Sequence, residues 1–161
     1  MLFRSILFAL ADGEAVGTLR VVPGPIARSE PDTVTCFQLD ELDGTVTPED
    51  YVVLDRFMLD SRFRSGPLSW DLMMAATAEA LGLGVTTGFA CCETHLVSLY
   101  TGFGFTPYTS LHNHPTSGVL VPLVFVGDPD HLRDVGSPVA AFITDENRSP
   151  VIMAQIRSIF G

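Results

Sequence analysis

The chain has 161 residues, the size of one domain with a substantial core. Charged residues make up 17% of it, below the about 25% of a typical globular protein, and its mean hydropathy is positive, so the composition excludes a disordered chain. Nineteen Asp and Glu against nine Arg give a net charge of −10, which argues against nucleic-acid binding because phosphate is repelled.

The cysteines and the apolar runs indicate where in the cell the protein is located. Cys36, Cys91 and Cys92 form neither a disulfide framework nor a spaced zinc motif, so the sequence predicts a reducing, cytoplasmic location. The longest uncharged apolar runs, 6–11 and 119–126, fall far short of the roughly 20 residues that cross a bilayer. No stable membrane insertion is predicted.

The first third of the sequence predicts a β-hairpin followed by irregular chain. Two β-rich runs, 6–11 and 15–22, flank the dipeptide Asp12-Gly13, which favours a two-residue hairpin turn. Prolines and glycine at 23–25 stop the second strand. In the acidic stretch that follows, one short strand is predicted around 36–39.

The next predicted strand, 51–59, carries several candidate functional residues. Strict alternation of side chains would place Asp55 and Phe57 on one face and Arg56 and Met58 on the other. After a polar turn, Ser69 is predicted as the N-cap of a helix that ends at Gly82.

The rest of the sequence predicts further strands and short helices. Strands are expected at 85–91, 105–108 and 119–126, and helices at 94–102, 130–135 and 151–159. We expect one domain over 1–136 and a partly helical tail over 137–161. The fold class is therefore α/β (α+β).

Two segments resemble the GNAT superfamily of N-acyltransferases. The run LYTGFGF at 99–105 resembles the family's LYxxxGF signature, and 53–66 resembles its fourth strand and the loop after it. The resemblance implies a mixed, mostly antiparallel central sheet flanked by helices. The family's first strand and the helices before the hairpin have no counterpart here, so an N-terminally truncated domain is expected.

The same resemblance implies a thioester co-substrate, acyl-CoA or acyl-phosphopantetheine, and no metal. Backbone groups of Phe57, Met58 and Leu59 would bind the pantetheine arm between two splayed strands. The loop and helix start would hold the pyrophosphate through Arg62, Arg64, Ser65, Gly66 and Ser69. Pro67 has no N–H for a phosphate, so an acyl carrier protein is a possible alternative donor and partner.

Catalytic roles also follow from the resemblance. Tyr100 would protonate the departing thiolate, with a buried core tyrosine as the competing interpretation. Asp55 is a candidate general base, although an Arg-paired carboxylate explains it as well. Glu93, together with His95, is a second candidate base that could instead cap a surface helix.

A second resemblance concerns the amine acceptor. The run VGTLRVVP at 16–23 and the pair Arg56-Phe57 resemble acyl-homoserine-lactone synthases and the related N-acyl amino acid synthases. Arg20, Arg56 and Phe37 then become candidate substrate residues. Two converging arginines need an anion, either a carboxylate of a small-molecule acceptor or an internal one; Asp40 and Asp43 are candidates for the latter.

Two other chemistries have weaker support. His112 and His114 could bind a metal with Cys91 or Cys92, but the ligand spacing matches no recognised site. A Cys92 nucleophile would suit thioester transfer, although adjacent cysteines at a strand end are more often buried apolar groups. The sequence therefore predicts an acyltransferase that acts by direct amine attack; the alternative is a catalytically silent GNAT-like module that binds an acyl thioester or a partner.

Overall fold

The computed structural model describes residues 2–64, 66–148 and 150–161. The strands are β1 Ser5–Ala11, β2 Glu14–Pro23, β3 Val52–Leu59, β4 Thr87–Glu93, β5 Phe105–Pro107, β6 His112–His114 and β7 Gly118–Val126. The α-helices are α1 Gly24–Ala27, α2 Pro31–Phe37, α3 Leu68–Gly82, α4 Val97–Phe103, α5 Pro129–Asp134 and α6 Pro150–Phe160. Short 3-10 turns lie at Leu39–Leu42, Pro48–Asp50, Ser61–Phe63, Thr94–Leu96 and Asp145–Asn147.

The strands of the described residues form one mixed sheet in the order β1-β2-β3-β4-β7-β5, with β6 beside β7. Every pairing is antiparallel except that of β3 with β4. The predicted mixed, mostly antiparallel sheet is therefore confirmed. A parallel neighbour requires a crossover, and α3 provides it between β3 and β4.

Helices cover both faces of the sheet because its central strands are apolar on both sides. On one face, Phe89 of β4 packs in a cluster with Phe37 of α2 and Ile156 of α6. On the other face, the next residue of β4, Ala90, packs with Met73 of α3 and Tyr100 of α4. The position of each side chain along β4 thus decides which layer it joins.

The predicted strand at 36–39 is wrong, because this stretch ends a helix. Pro31 occupies the first turn of α2, where its missing N–H costs nothing. Thr33, Cys36 and Phe37 are buried at helical spacing. Packing of that face on β4 outweighs the β propensity of the short run.

The predicted N-cap at Ser69 is also wrong. Helix α3 starts at Leu68, and Pro67 is its N-cap. Ser69 lies inside the first turn, where its hydroxyl donates to the Gly66 carbonyl at 3.4 Å.

The last segment, 137–161, contributes to the core. Val139 and Ile143 pack in the cluster beneath α3 and α4, and Ile156 packs on the opposite face. Helix α6 matches the predicted helix at 151–159. The boundary at residue 136 stays a prediction. No helix in the described ranges is long and apolar enough to cross a bilayer.

Candidate active site

Strands β3 and β4 part in the middle of the sheet. They pair only where Val52–Leu54 faces Gly88–Ala90. Beyond Leu54, β3 pairs with β2 alone, and β4 pairs with β7 alone. The backbone edges of 55–59 and 91–93 therefore face a gap rather than each other.

A β-bulge in β3 lies at this gap. Arg20 pairs with Asp55 and Thr18 pairs with Met58, so two residues of β3 oppose one residue of β2. Arg56 takes a left-handed φ of 52°, and the Thr18 hydroxyl donates to its carbonyl at 3.0 Å.

The bulge overturns the predicted alternation along β3. Phe57 packs with Leu54 on the α3 side of the sheet, although strict alternation places them on opposite faces. Asp55 and Arg56, predicted on opposite faces, line one cleft on the α2 side.

The cleft beside β3 and α4, here named the Phe57 cleft, encloses about 380 Å³. Its lining residues come from β3, the start of α3 and the approach to α4: Phe57, Met58, Leu59, Arg64, Ser69, Glu93, His95, Leu96 and Leu99. Most of the residues predicted to bind the thioester donor thus lie around one space.

In the loop before α3, the predicted phosphate-binding residues have different partners. Arg62 pairs with Asp60, with Nη2 2.9 Å from Oδ2, and the hydrogen bonds from Arg62 lower the pKa of Asp60 to about 2. Arg64 donates through Nε to the Leu59 carbonyl at 3.1 Å and lines the Phe57 cleft. Gly66 is bonded within the loop, its N–H donating to the Phe63 carbonyl at 3.2 Å. Ser65 lies outside the described residues.

Tyr100 is held by aromatic contacts between the sheet and α4. Its ring packs edge-on against Phe57 at 6.2 Å and against Phe105 at 5.4 Å, and 5% of the residue is exposed. Burial, and then the thiols of Cys92 and Cys91, raise the pKa of Tyr100 well above its usual value. The hydroxyl keeps its proton at neutral pH and is available as a hydrogen-bond donor.

Glu93 and His95 form an exposed pair at the end of β4. The His95 Nδ1 lies 3.2 Å from the Glu93 Oε2, and both residues line the Phe57 cleft. Neither residue pairs with an arginine among the described residues.

A second cleft, named the Arg20 cleft, encloses about 700 Å³ on the α2 side. All three predicted acceptor residues line it: Arg20, Phe37 and Arg56. Met58 lines both clefts, so they adjoin where β3 leaves β4. The tertiary structure thus places the predicted donor and acceptor residues on two sides of one gap.

Arg20 is held by internal carboxylates. Its Nε donates to Asp55 Oδ1 at 2.6 Å and its Nη2 contacts Asp55 Oδ2. Its Nη2 also lies 3.1 Å from Glu30 Oε2, and Arg4 pairs with the same Glu30 at 2.8 Å. The hydrogen bond to Asp55 outweighs burial and raises the pKa of Arg20 further above its usual value.

The predicted internal partners of Arg20 are therefore wrong. Asp40 and Asp43 instead accept from Arg28, at 2.8 and 2.7 Å. Arg56 has no ion pair among the described residues and is exposed to solvent. Phe37 is buried, and its carbonyl accepts from the Tyr108 hydroxyl at 2.7 Å.

Sequence reasoning missed Glu30 and Cys36 as cleft residues. Glu30 precedes Pro31, and a proline after an acidic residue is a helix-start pattern that could have placed Glu30 at the mouth of a helix. Cys36 was missed because the sequence around it was predicted as a strand, whereas it belongs to helix α2. The described residues hold no group of three or more His, Cys, Asp or Glu that could ligate a metal.

Comparison with known proteins finds solved structures with a similar architecture. No family model and no curated protein matches the sequence. Among solved structures, BjaI, a CoA-dependent acyl-homoserine lactone synthase solved with SAM and isopentyl-CoA, matches with a TM-score of 0.61 at 20% identity, over 84% of this chain and 65% of that one. The chain thus spans 65% of the length of this synthase.

Two further structures match over a similar extent. FeeM, an N-acyl amino acid synthase from uncultured soil microbes, gives a TM-score of 0.59 at 15% identity, covering 75% of this chain and 71% of that one. An acyl-CoA N-acyltransferase from Pseudomonas aeruginosa gives 0.55 at 21% identity, covering 78% and 70%. The predicted resemblance to the GNAT N-acyltransferases is confirmed at the level of the fold.

Proposed function

We propose that this protein is an N-acyltransferase that moves an acyl group from a thioester to a small-molecule amine. The observation that carries the proposal is the junction of two clefts at Met58, at the point where β3 and β4 separate. A donor and an acceptor can approach this junction from opposite sides. Direct transfer needs that arrangement, since both reactants must be bound together in attack geometry.

The donor belongs in the Phe57 cleft, with its pantetheine arm along the free edge of β3. The first-turn N–H groups of α3 have no partner within the helix and lie at the positive end of its dipole. Arg64 lines this cleft and adds a cation that no carboxylate of the described ranges pairs with. This set suits an acyl-CoA or an acyl-phosphopantetheine thioester.

The choice between coenzyme A and an acyl carrier protein depends on the loop before α3. Pro67 has no N–H, and Arg62 is paired with Asp60, so few groups remain for a nucleotide's phosphates. We expect a carrier-protein thioester to give the higher kcat/KM. The predicted cytoplasmic location is compatible with either donor.

In the reaction, the neutral amine nitrogen attacks the thioester carbonyl carbon, a C–N bond forms and the C–S bond breaks. The proton lost by the amine ends on the departing sulfur. Tyr100 contacts Phe57 beside the cleft and keeps its own proton, so it would stabilise the leaving thiolate by hydrogen bonding.

A base must hold the amine in its neutral form. Both oxygens of Asp55 accept from Arg20, so we assign Asp55 to positioning that guanidinium. Glu93 with His95 is the better candidate base, since within residues 2–64, 66–148 and 150–161 no arginine pairs with either group.

Arg56 in the Arg20 cleft indicates the acceptor class. It forms no ion pair with the part of the chain that the structure describes, whereas Arg20 is already neutralised. A carboxylate on the acceptor would form a charge-assisted, bidentate pair with Arg56. We therefore propose an amino acid as the amine acceptor.

The direct test incubates the full chain with acyl-CoA, or with an acyl carrier protein thioester, and a panel of amines with and without carboxylates. Thiol release and mass spectrometry of the N-acyl product measure turnover. Amide formation with an amino acid supports the proposal. Donor binding without amide product from any amine contradicts it.

One observation favours a second candidate, a catalytically silent module that binds an acyl thioester. Asp55, the base predicted on this strand, is bound on both oxygens by Arg20. Calorimetric binding of a non-hydrolysable acyl-CoA analogue, together with absent turnover across the panel, would support this alternative.

A further inference from the structure

The Arg20 cleft contains a pair of thiols from different elements. Cys36 of α2 and Cys91 of β4 both line this cleft, and both pack in the same apolar cluster. Their thiols interact closely enough that each shifts the pKa of the other. The acyl-transfer chemistry proposed above uses neither of them.

The neighbouring Cys92 is excluded from this pair by the alternation of β4. Its side chain packs in the cluster beneath α3 and α4, on the opposite face of the sheet. Cys91 and Cys92 are adjacent in sequence, yet only Cys91 faces α2. This difference provides a matched control residue one position away.

The two thiols differ in acidity. The hydrogen bond from Cys91 lowers the pKa of Cys36, and the same contact together with burial raises the pKa of Cys91. The pair is therefore asymmetric, with Cys36 as the more nucleophilic sulfur and Cys91 as the protonated partner.

We propose that Cys36 and Cys91, which line one cleft and pack in one cluster, are an oxidation site, at which a hydroperoxide converts the two thiols into an intramolecular disulfide in the wall of the Arg20 cleft. The Cys36 thiolate attacks the peroxide oxygen; the O–O bond breaks, giving a sulfenic acid at Cys36 and an alcohol, or water when the oxidant is hydrogen peroxide. The Cys91 sulfur then attacks the Cys36 sulfur, and hydroxide leaves and takes the Cys91 proton as water. Two thiols lose two electrons, and the peroxide gains them.

The bond would alter the cleft because of what α2 carries. Glu30 at the N-cap of α2 pairs with Arg20, and Phe37 at its end lines the cleft. A covalent link requires an S–S distance of about 2.0 Å, so it ties the end of α2 to β4. If the cleft holds the amine acceptor, a consequence that rests on the proposed function, oxidation raises the acceptor KM.

The test treats the folded full chain with hydrogen peroxide, blocks remaining thiols with an alkylating reagent, and maps the peptides without reduction. We expect a linked pair containing Cys36 and Cys91, a mass loss of two hydrogens and an unmodified Cys92. The link should disappear with dithiothreitol. This readout needs no enzymatic activity, so it can fail or succeed independently of the proposed function.

Variants sharpen the outcome. Cys92→Ser should still form the link, whereas Cys36→Ser and Cys91→Ser should not, with folding of each checked by circular dichroism. If acyl transfer is present, the oxidised wild type should show an acceptor KM raised at least about tenfold, restored by reduction. A Cys91–Cys92 bond, a link between two chains, or sulfinic acids without a link would each overturn the proposal, as would an oxidised enzyme with unchanged KM.

Discussion

Arg20 and Asp55 form a bidentate ion pair across β2 and β3, directly before the bulge that lies at the gap between β3 and β4. Their side chains are 12% and 21% exposed. The pair therefore stabilises the strand next to the gap, and its contribution can be separated from that of the exposed Arg56.

Removing Arg20 should destabilise the fold. Arg20→Gln leaves Asp55 and Glu30 as two partly buried carboxylates without their shared cation. We expect the free energy of unfolding to fall by about 1–3 kcal/mol, measured by urea denaturation. The matched control, Arg56→Gln, removes an exposed arginine that forms no ion pair with the described residues, and should change stability by less than about 0.5 kcal/mol. Equal effects of the two variants would contradict the assigned roles.

Arg56 should control acceptor choice. Arg56→Gln is expected to raise the KM for an amino acid about tenfold to a hundredfold, because a charge-assisted pair with the carboxylate is lost. An amine without a carboxylate should be little affected. Arg56→Gly should cause the same kinetic loss while stabilising the fold by about 1 kcal/mol relative to Arg56→Ala, since glycine tolerates the φ of 52°. Unchanged acceptor preference in both variants would remove Arg56 from the site.

Tyr100→Phe tests the leaving-group role. The hydroxyl, not the ring, is proposed to act on the thiolate, so kcat should fall about a hundredfold while donor KM changes little. The matched control is Tyr51→Phe, because the Tyr51 hydroxyl is buried without a hydrogen-bond partner among the described residues. That variant should keep its kcat and be at least as stable as the wild type. Turnover in Tyr100→Phe equal to that of the control would disprove the role.

Arg64 should distinguish donors that carry nucleotide phosphates from donors that do not. Arg64→Ala is expected to raise the KM for acyl-CoA about tenfold through the loss of a phosphate contact, and to leave that for acyl-pantetheine nearly unchanged. Arg62→Ala is the control, since Arg62 is already paired with Asp60. An equal rise for both donors in Arg64→Ala would indicate a structural effect of the loop instead.

Acid should weaken the network around Glu30. Burial acts to raise the pKa of Glu30, but the Thr33 hydrogen bond and the charges of Arg20 and Arg4 together bring it below its ordinary value of 4.5. Glu30 therefore stabilises the fold above pH 4.5, and that contribution is lost as the pH falls below 4.5 through the folded-state pKa.

The comparison is between wild type and Glu30→Gln, with the free energy of unfolding measured from pH 6 downward by about half a unit at a time. Wild type should lose stability more steeply below pH 4.5, by at most about 1.4 kcal/mol per pH unit for one proton. Parallel curves for the two proteins would show that Glu30 titrates alike in the folded and unfolded states.

Local sequence determined most of the elements, and the resemblance pointed to residues that line the Phe57 cleft. Alternating and continuous apolar runs marked the hairpin, β3, β4 and β7, because burial of a strand face imposes that pattern. The run at 99–105 gave α4 and the turn into β5, where Gly104 adopts a positive φ of 123°. Phe57, Met58 and Leu59, consecutive in the chain, were expected in one cleft and line it.

Tertiary structure alone decided which residues form the Arg20 cleft. Period-two alternation predicted Asp55 and Arg56 on opposite faces. In the structure, β3 has one extra residue where it pairs with β2, and Arg56 there has a left-handed φ. Nothing in the sequence signals this conformation, because the position is occupied by arginine and not by glycine. Glu30 and Cys36 reached the cleft because α2 packs on the sheet, a contact between residues distant in sequence. Which carboxylates neutralise Arg20 was likewise settled by distance in space. Several acidic residues had suitable chemistry, and of the carboxylates that the structure describes, Asp55 and Glu30 are the ones that lie close enough.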